Sequence, residues 1–121
     1  MTYKMTIQGR LPSLNEYIAA CRTNPHAGAK LKKETEEQIV WYLARLPRFE
    51  RPIRLHFLWI EPNARRDFDN ISSFGRKVIL DAMQTAGKLP NDNRKFVKGF
   101  SDEFAVDKEN PRIEITIEEE T

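Results

Sequence analysis

The segment from residue 53 to residue 61 constrains the fold most strongly. Its large apolar side chains recur at every second position, with Arg54 and His56 between the first of them. Alternation of this kind is typical of a β-strand with one face in a core. Pro62 ends the strand, and Gly87 ends a second pattern in which the apolar spacing becomes helical. We predict a strand over 53–61 and then a helix over 68–86, with a core stripe of Ile71, Phe74, Val78 and Met83.

The same periodicities predict the remaining elements. Residues 3–9 alternate as a first strand, residues 11–17 read as a turn or an extended entry, and residues 20–28 read as a loop. A helix is predicted over 29–46, where Pro47 ends it. Residues 95–106 look extended, and the alternating isoleucines of residues 113–117 predict a last strand. The order β-α-β-α-β-β predicts an α+β class, in which two main helices pack on a mixed sheet.

Length and composition set the broad class of the protein. The 121 residues suit a single domain spanning residues 1–121, with 40% hydrophobic and 31% charged residues. No apolar run approaches the ~20 residues that a membrane span needs, and the first residues lack the apolar region of a signal peptide. Cys21 is the only cysteine, so no internal disulfide can form. We therefore expect no membrane partner and a cytoplasmic location.

The charges are distributed unevenly along the chain. The net charge is +2, yet residues 1–61 and residues 62–98 each carry a net charge of +4, and residues 99–121 carry −6. Residues 62–98, which carry this charge of +4 on fewer residues, also contain four aspartates. Cations for a phosphate backbone combined with carboxylates for a metal ion are typical of a nuclease.

A charged hexapeptide, RRDFDN, occupies residues 65–70 between the predicted strand and helix. Carboxylates attract hard divalent cations and guanidinium groups attract phosphate. One interpretation is therefore a Mg²⁺ site for phosphodiester chemistry. The other is ordinary helix-starting chemistry, with Asp67 or Asp69 as the N-cap in the favourable field of the helix dipole. Both interpretations are open at this point.

Further polar residues follow on the predicted helix and in the loop after it. Ser73, Lys77 and Asp81 are four residues apart in turn, so they share one helical face that leads back to Asp69. A surface ion pair between Lys77 and Asp81 would explain that spacing equally well. The segment LPNDN at residues 89–93 has the composition of a turn. Alternatively, this loop folds back and brings Asp92 to a metal ion as a third carboxylate.

The order of RRDFDN, KVILDAMQTAG and LPNDN resembles the RusA-type Holliday junction resolvases, many of which are encoded by prophages. The likeness extends to a first strand followed by the turn at residues 11–15 and to a closing strand of alternating isoleucines. It therefore covers nearly the whole chain, although only residues 65–93 are distinctive.

The resemblance implies a homodimeric, Mg²⁺-dependent endonuclease that resolves four-way DNA junctions by paired nicks in DNA recombination and repair. The catalytic residues that it implies are Asp67, Asp69, Lys77 and Asp92, and the three aspartates would bind the metal. Asn70 and Asp81 match positions next to the metal. Counting forward from Asp69 places the family's lysine at Ser73 and counting back from Asp81 places it at Lys77, but only Lys77 has an amine.

Cations near these carboxylates are predicted to bind neighbouring DNA phosphates: Arg65, Arg66, Arg76, Arg94, Lys95 and Lys98. Two other functions are compatible with the sequence. One is a DNA-binding module without catalysis, in which the aspartates only cap the helix. The other is a metal-dependent phosphatase that acts on small phosphate esters. His26 and His56 show no partner in the sequence and do not indicate a histidine-based mechanism.

Overall fold

The computed structural model describes all residues from 1 to 121 and confirms the α+β class. The elements are β1 (Thr2–Gln8), α1 (Leu14–Thr23), α2 (Ala27–Tyr42), β2 (Ile53–Glu61), α3 (Phe68–Thr85), β3 (Val97–Val106) and β4 (Arg112–Glu119). The observed order is thus β-α-α-β-α-β-β, with one helix more than predicted. None of the three helices has the length and apolar character needed to cross a membrane.

The four strands form one mixed sheet in the order β1-β4-β2-β3. Strand β4 is antiparallel to both β1 and β2, whereas β3 is parallel to β2. A parallel pair needs a crossover connection, and here α3 and the loop after it supply the crossover between β2 and β3. The sheet geometry therefore places α3 beside the strand that precedes it and the strand that follows it.

The core lies between one face of the sheet and the helices. The alternating residues Leu55, Phe57 and Trp59 of β2 face the core, as do the isoleucines of β4. The predicted stripe of α3 is confirmed, because Ile71, Phe74, Val78 and Met83 are all buried. The opposite stripe of α3, with Asp69, Ser73 and Lys77, is left towards solvent.

Helix α1 occupies residues for which a turn and a loop were predicted, and that prediction was wrong. Ser13 starts the helix with a capping box, in which its hydroxyl accepts a hydrogen bond from the Glu16 backbone N–H and the Glu16 carboxylate accepts one from the Ser13 N–H. No residue of α1 is buried. Leu14, Tyr17, Ile18 and Cys21 do have helical spacing, but none of them is fully buried, so the apolar pattern of this ten-residue helix is short.

Helix α2 begins and ends earlier than predicted. The Asn24 side-chain oxygen accepts hydrogen bonds from the backbone N–H groups of His26 and Ala27, both at 2.9 Å, and this starts the helix at Ala27. At the other end, the Leu43 N–H donates to the Val40 carbonyl, three residues earlier, in a bond that closes a tighter turn than that of an α-helix. The helix thus ends at Tyr42, well before Pro47. The proline is therefore not what ends this helix.

Candidate active site on helix α3

Asp67 and Asp69 lie at the start of α3 with their carboxylates exposed to solvent. Asp67 is the N-cap residue by backbone conformation, yet its side chain makes no capping hydrogen bond. Asp69 lies in the first turn, and neither carboxylate is held by a side-chain hydrogen bond or an ion pair. The capping interpretation is therefore right for the position of Asp67 but does not account for its carboxylate.

The neighbouring polar side chains serve the fold of this turn. The Asn70 side-chain oxygen accepts a hydrogen bond of 2.8 Å from the Asn15 backbone N–H, which joins the start of α3 to the start of α1. The Ser73 hydroxyl donates to the Asp69 carbonyl at 2.7 Å. These two contacts hold the backbone that carries Asp69.

A second charged cluster lies further along α3. Lys77 Nζ is 3.3 Å from Asp81 Oδ1 and 3.3 Å from Asp92 Oδ2. Lys32 Nζ of helix α2 is 2.9 Å from the other oxygen of Asp81. Two ammonium groups thus alternate with two carboxylates. The loop after α3 does fold back to the helix, and it places Asp92 beside Lys77.

The carboxylates around Lys77 keep its amine protonated. Hydrogen bonding to Asp81 is the largest cause that raises the pKa of Lys77 above its ordinary value, and hydrogen bonding to Asp92 acts in the same direction. The desolvation of the amine opposes both contributions. Lys77 is therefore a fixed positive charge at neutral pH, suited to stabilising negative charge and not to accepting a proton.

The two clusters are separated along the helix. Lys77 follows Asp69 by eight residues, which is about 12 Å along the axis of an α-helix. The Lys77 amine contacts Asp81, one turn further from Asp69. No group of three or more His, Cys, Asp or Glu side chains lies close enough to hold one metal ion. The structure thus brings Asp92 together with Lys77 and Asp81, and not with Asp67 and Asp69.

The donor chemistry at the start of α3 nevertheless fits Mg²⁺. Mg²⁺ is commonly bound through one or two carboxylates, with water and substrate phosphate completing its coordination. Asp67 and Asp69 supply two carboxylates that have no internal partner and are open to solvent. Asp92 is already bonded to Lys77, so its role as a third ligand stays a prediction.

A basic groove adjoins the second cluster. It has a volume of about 460 Å³, and Asp92, Arg94 and Lys98 line it together with Leu80, Val97, Gly99 and Phe100. Arg94 and Lys98 are exposed and form no ion pair. Lys95 lies nearby, 5.5 Å from the centre of the Phe96 ring, and Arg65 is exposed at the start of α3. Four of the six predicted DNA-binding cations are thus free to meet phosphate.

Arg66 and Arg76 instead have internal partners. Arg66 donates to the Leu11 carbonyl at 3.1 Å and pairs with Glu16, and its side chain is only 15% exposed. Arg76 Nη1 is 2.6 Å from Asp102 Oδ2, and its guanidinium lies over the Phe100 ring. These contacts join the segment before α3 to α1 and to the residues that precede it, and they join α3 to β3. The prediction that both arginines bind DNA stays a prediction, and because both already have internal partners we leave them out of the proposed surface.

His56 has partners that the sequence did not reveal. On the sheet face away from the helices, its Nδ1 is 2.7 Å from Ser101 Oγ and its Nε2 is 3.3 Å from Glu118 Oε2. Ser101 belongs to β3 and Glu118 to β4, so the pairing of three strands brings them together. This group is remote in the fold from the charged face of α3.

No family model matches this sequence, and comparison with curated proteins finds no match. The likeness to RusA-type resolvases therefore depends on the sequence motifs alone, of which those in residues 65–93 are distinctive.

Proposed function

We propose that this protein is a Mg²⁺-dependent endodeoxyribonuclease that resolves four-way DNA junctions by paired nicks. The observation that carries the proposal is the contact between Lys77 and Asp92. It joins the charged face of α3 to a loop and strand that carry unpaired cations. A protonated amine beside a basic groove, on the same helix as two free carboxylates, suits cleavage of a phosphate backbone.

The carboxylates at the start of α3 are the proposed metal ligands. Asp67 and Asp69 would hold Mg²⁺, with Asp92 as the third ligand that the family resemblance implies. When bound, the ion would neutralise charge on the scissile phosphate and lower the pKa of the attacking water. Asn70 acts indirectly, because its bond to the Asn15 N–H fixes the turn that carries both carboxylates.

Lys77 is the proposed electrostatic catalyst. Its charge would stabilise the negative charge that develops on the phosphate oxygens during cleavage. Asp81 holds the amine at 3.3 Å, and Lys32 holds Asp81 at 2.9 Å from the other side. Lys32 was not identified from the sequence, since it lies on a different helix and belongs to no motif. We assign it a positioning role.

The proposed DNA surface consists of Arg65, Arg94, Lys95 and Lys98. These cations would contact phosphates and contribute affinity without reading the base sequence. A homodimer suits this substrate, because a four-way junction has near two-fold symmetry and two symmetric sites can meet its two opposed strands.

Cleavage of a synthetic four-way junction tests the proposal. The purified protein would be incubated with labelled junction or matched linear duplex, in Mg²⁺ or in EDTA, alongside Asp69→Asn and the remote exposed control Glu109→Gln. We expect symmetric nicks in the junction that require Mg²⁺, are lost in Asp69→Asn and persist in Glu109→Gln.

Two outcomes would move the assignment elsewhere. Tight junction binding without cleavage in any metal would favour a DNA-binding module, consistent with Asp92 being bonded to Lys77 and not grouped with Asp67 and Asp69. Metal-dependent hydrolysis of small phosphate esters, without nicking of DNA, would favour a phosphatase.

A further inference from the structure

Strand β1 is an edge strand with free backbone groups. It pairs only with β4. The hydrogen bonds at the two ends of the strand show which of its residues bond to β4. Glu119 N–H donates to the Met1 carbonyl and Gly9 N–H donates to the Pro111 carbonyl, both at 2.9 Å. Bonded and free residues alternate along an antiparallel pair. The odd-numbered residues therefore bond to β4, and Lys4 directs its N–H and C=O away from the sheet.

A groove of about 530 Å³ lies along this edge, and we call it the β1 groove. One wall is formed by four consecutive residues of β1, which means that the backbone edge itself is part of the wall. The other wall is the end of α2 and the turn after it. The lining residues are Tyr3, Lys4, Met5, Thr6, Trp41, Tyr42, Ala44, Arg45 and Leu46.

Trp41 is the exposed aromatic residue of the β1 groove. It is 84% exposed, whereas the other tryptophan, Trp59, is 1% exposed. A tryptophan gains considerable free energy when its large apolar surface is covered, and exposed aromatic side chains are enriched where proteins bind partners. Helix propensity does not require tryptophan at this position, because alanine, lysine or glutamate would favour the helix more.

The charged residues of the β1 groove indicate which sign of charge its occupant carries. Lys4 and Arg45 line it, and neither is in an ion pair. None of the 18 acidic residues of the chain lines it. A negatively charged occupant would therefore be favoured, and it would meet two cations that have no internal partner.

We propose that the β1 groove binds an extended acidic peptide segment of a partner protein. The segment would add to β1 as a fifth strand, with its backbone bonded to Lys4 and Thr6 and an apolar side chain against Trp41. A nucleic acid backbone fits less well. Its phosphates can accept hydrogen bonds from the Lys4 and Thr6 N–H groups, but they offer no donor to the Lys4 and Thr6 carbonyls. This proposal is independent of the nuclease proposal, because no residue of the β1 groove belongs to the α3 site.

The direct test uses a synthetic nine-residue peptide in which aspartate alternates with valine and isoleucine around one central phenylalanine. Binding to the full-length protein would be measured by fluorescence anisotropy, and amide exchange would be followed by NMR. We expect micromolar binding, and new protection of the Lys4 and Thr6 amides, while the Tyr3 and Met5 amides are already protected in the free protein. Binding without protection at Lys4 and Thr6 would overturn strand addition.

Variants separate the backbone, aromatic and charge contributions. Thr6→Pro removes one free N–H without breaking a bond to β4, and proline is tolerated at such edge positions. We expect at least tenfold weaker peptide binding for Thr6→Pro, for Trp41→Ala and for Arg45→Glu. Thr2→Pro is the matched control, since Thr2 also points outward but lies outside the groove, and it should bind normally. Retained amide protection in β4 would show that each variant is folded.

Three competing probes identify other occupants. A peptide with lysine in place of aspartate should not bind, and equal binding would refute charge selection. Single-stranded oligothymidylate that binds more tightly than the acidic peptide would assign the β1 groove to nucleic acid and overturn the proposal. Self-association that Thr6→Pro abolishes would assign it to a second copy of this chain, with the same consequence.

Discussion

Lys77 and Asp92 are 15 residues apart in the sequence, yet Lys77 Nζ lies 3.3 Å from Asp92 Oδ2. The intervening chain finishes α3, turns at Gly87, where φ is +74°, and returns to the same helix face. Lys88 supports this return, because its N–H bonds to the Met83 carbonyl and its amine donates to the Leu46 carbonyl. The basic groove exists because of this reversal.

Replacing the central amine should abolish most of the proposed activity. We expect Lys77→Met to slow junction cleavage by about 100-fold or more, since it removes a preorganised charge from the transition state. The Lys77 side chain is 59% exposed, so the free energy of unfolding should change by less than about 1 kcal/mol. Single-turnover cleavage and urea unfolding measure the two effects. Lys30→Met, at an exposed position on α2, is the control and should cleave normally.

Lys32 should influence the same reaction without touching DNA. We expect Lys32→Met to slow cleavage about tenfold, because Asp81 would lose the partner at 2.9 Å that holds it beside Lys77. Lys32→Arg should restore most of the rate, which a change in overall stability would not explain. The adjacent exposed Lys33 provides the control variant Lys33→Met. A normal rate in Lys32→Met would remove the positioning role.

The unpaired cations of the basic groove should determine the salt dependence of DNA binding. In the Asp69→Asn background, we expect the added change Arg94→Ala with Lys98→Ala to reduce the slope of log affinity against log salt by roughly two. Lys108→Ala, in the loop between β3 and β4, should leave the slope unchanged. Titrations of labelled junction at several salt concentrations measure it. An unchanged slope in the double variant would place the DNA elsewhere on the protein.

Gly75 is needed because α3 packs closely on β2. A Cβ atom at this position would lie 2.9 Å from Trp59 Cζ3 and 3.0 Å from Trp59 Cη2. Trp59 is buried and cannot move aside, so Gly75→Ala should lower the free energy of unfolding by about 1 to 3 kcal/mol. Gly99→Ala is the contrasting variant, since the atom it would meet is the flexible end of Arg54. Chemical denaturation of both proteins gives the comparison.

Asp107 should contribute to acid sensitivity. Its hydrogen bond from Arg112 is the largest cause that lowers the pKa of Asp107 below the ordinary 3.8, and the Asn110 and Glu109 N–H groups add to it. A carboxyl with a lowered folded-state pKa stabilises the protein above its ordinary pKa, and the contribution is lost as pH falls through the folded value. The Tm of Asp107→Asn should therefore be lower than that of wild type at neutral pH, and the difference should shrink once the pH falls below the ordinary pKa of 3.8 and disappear below the folded-state pKa. The Tm of Glu109→Gln should depend on pH in the same way as the Tm of wild type.

The main strand and helix were predictable because their periodicity reflects burial. Strand β2 has alternating buried positions, and α3 has nine buried residues, so each leaves a strong apolar pattern in the sequence. Helix α1 leaves a shorter pattern, because Leu14, Tyr17, Ile18 and Cys21 have helical spacing but none is fully buried, and Ser13 and Glu16 specify its start locally. The Ser-x-x-Glu signal was present in the sequence but was interpreted as a turn.

The candidate site was predictable only in its composition. The motif order selected Asp67, Asp69, Lys77 and Asp92, but sequence spacing could not show that Asp92 pairs with Lys77. Long-range contacts also decide which cations are free. Arg66 pairs with Glu16, 50 residues away, and Arg76 pairs with Asp102, 26 residues away. No local sequence pattern predicts either contact.

The pairing of β1 with β4 has a consequence for how the chain folds. Thr2 lies opposite Glu118, so this ladder closes a loop that contains almost the whole sequence. Contacts between such distant residues carry a large entropic cost, and they form slowly unless other contacts have already brought the ends together. We expect β2, α3 and β3 to assemble first and β1 to dock last. The strand that forms the open edge of the sheet would then also be the first to detach during partial unfolding.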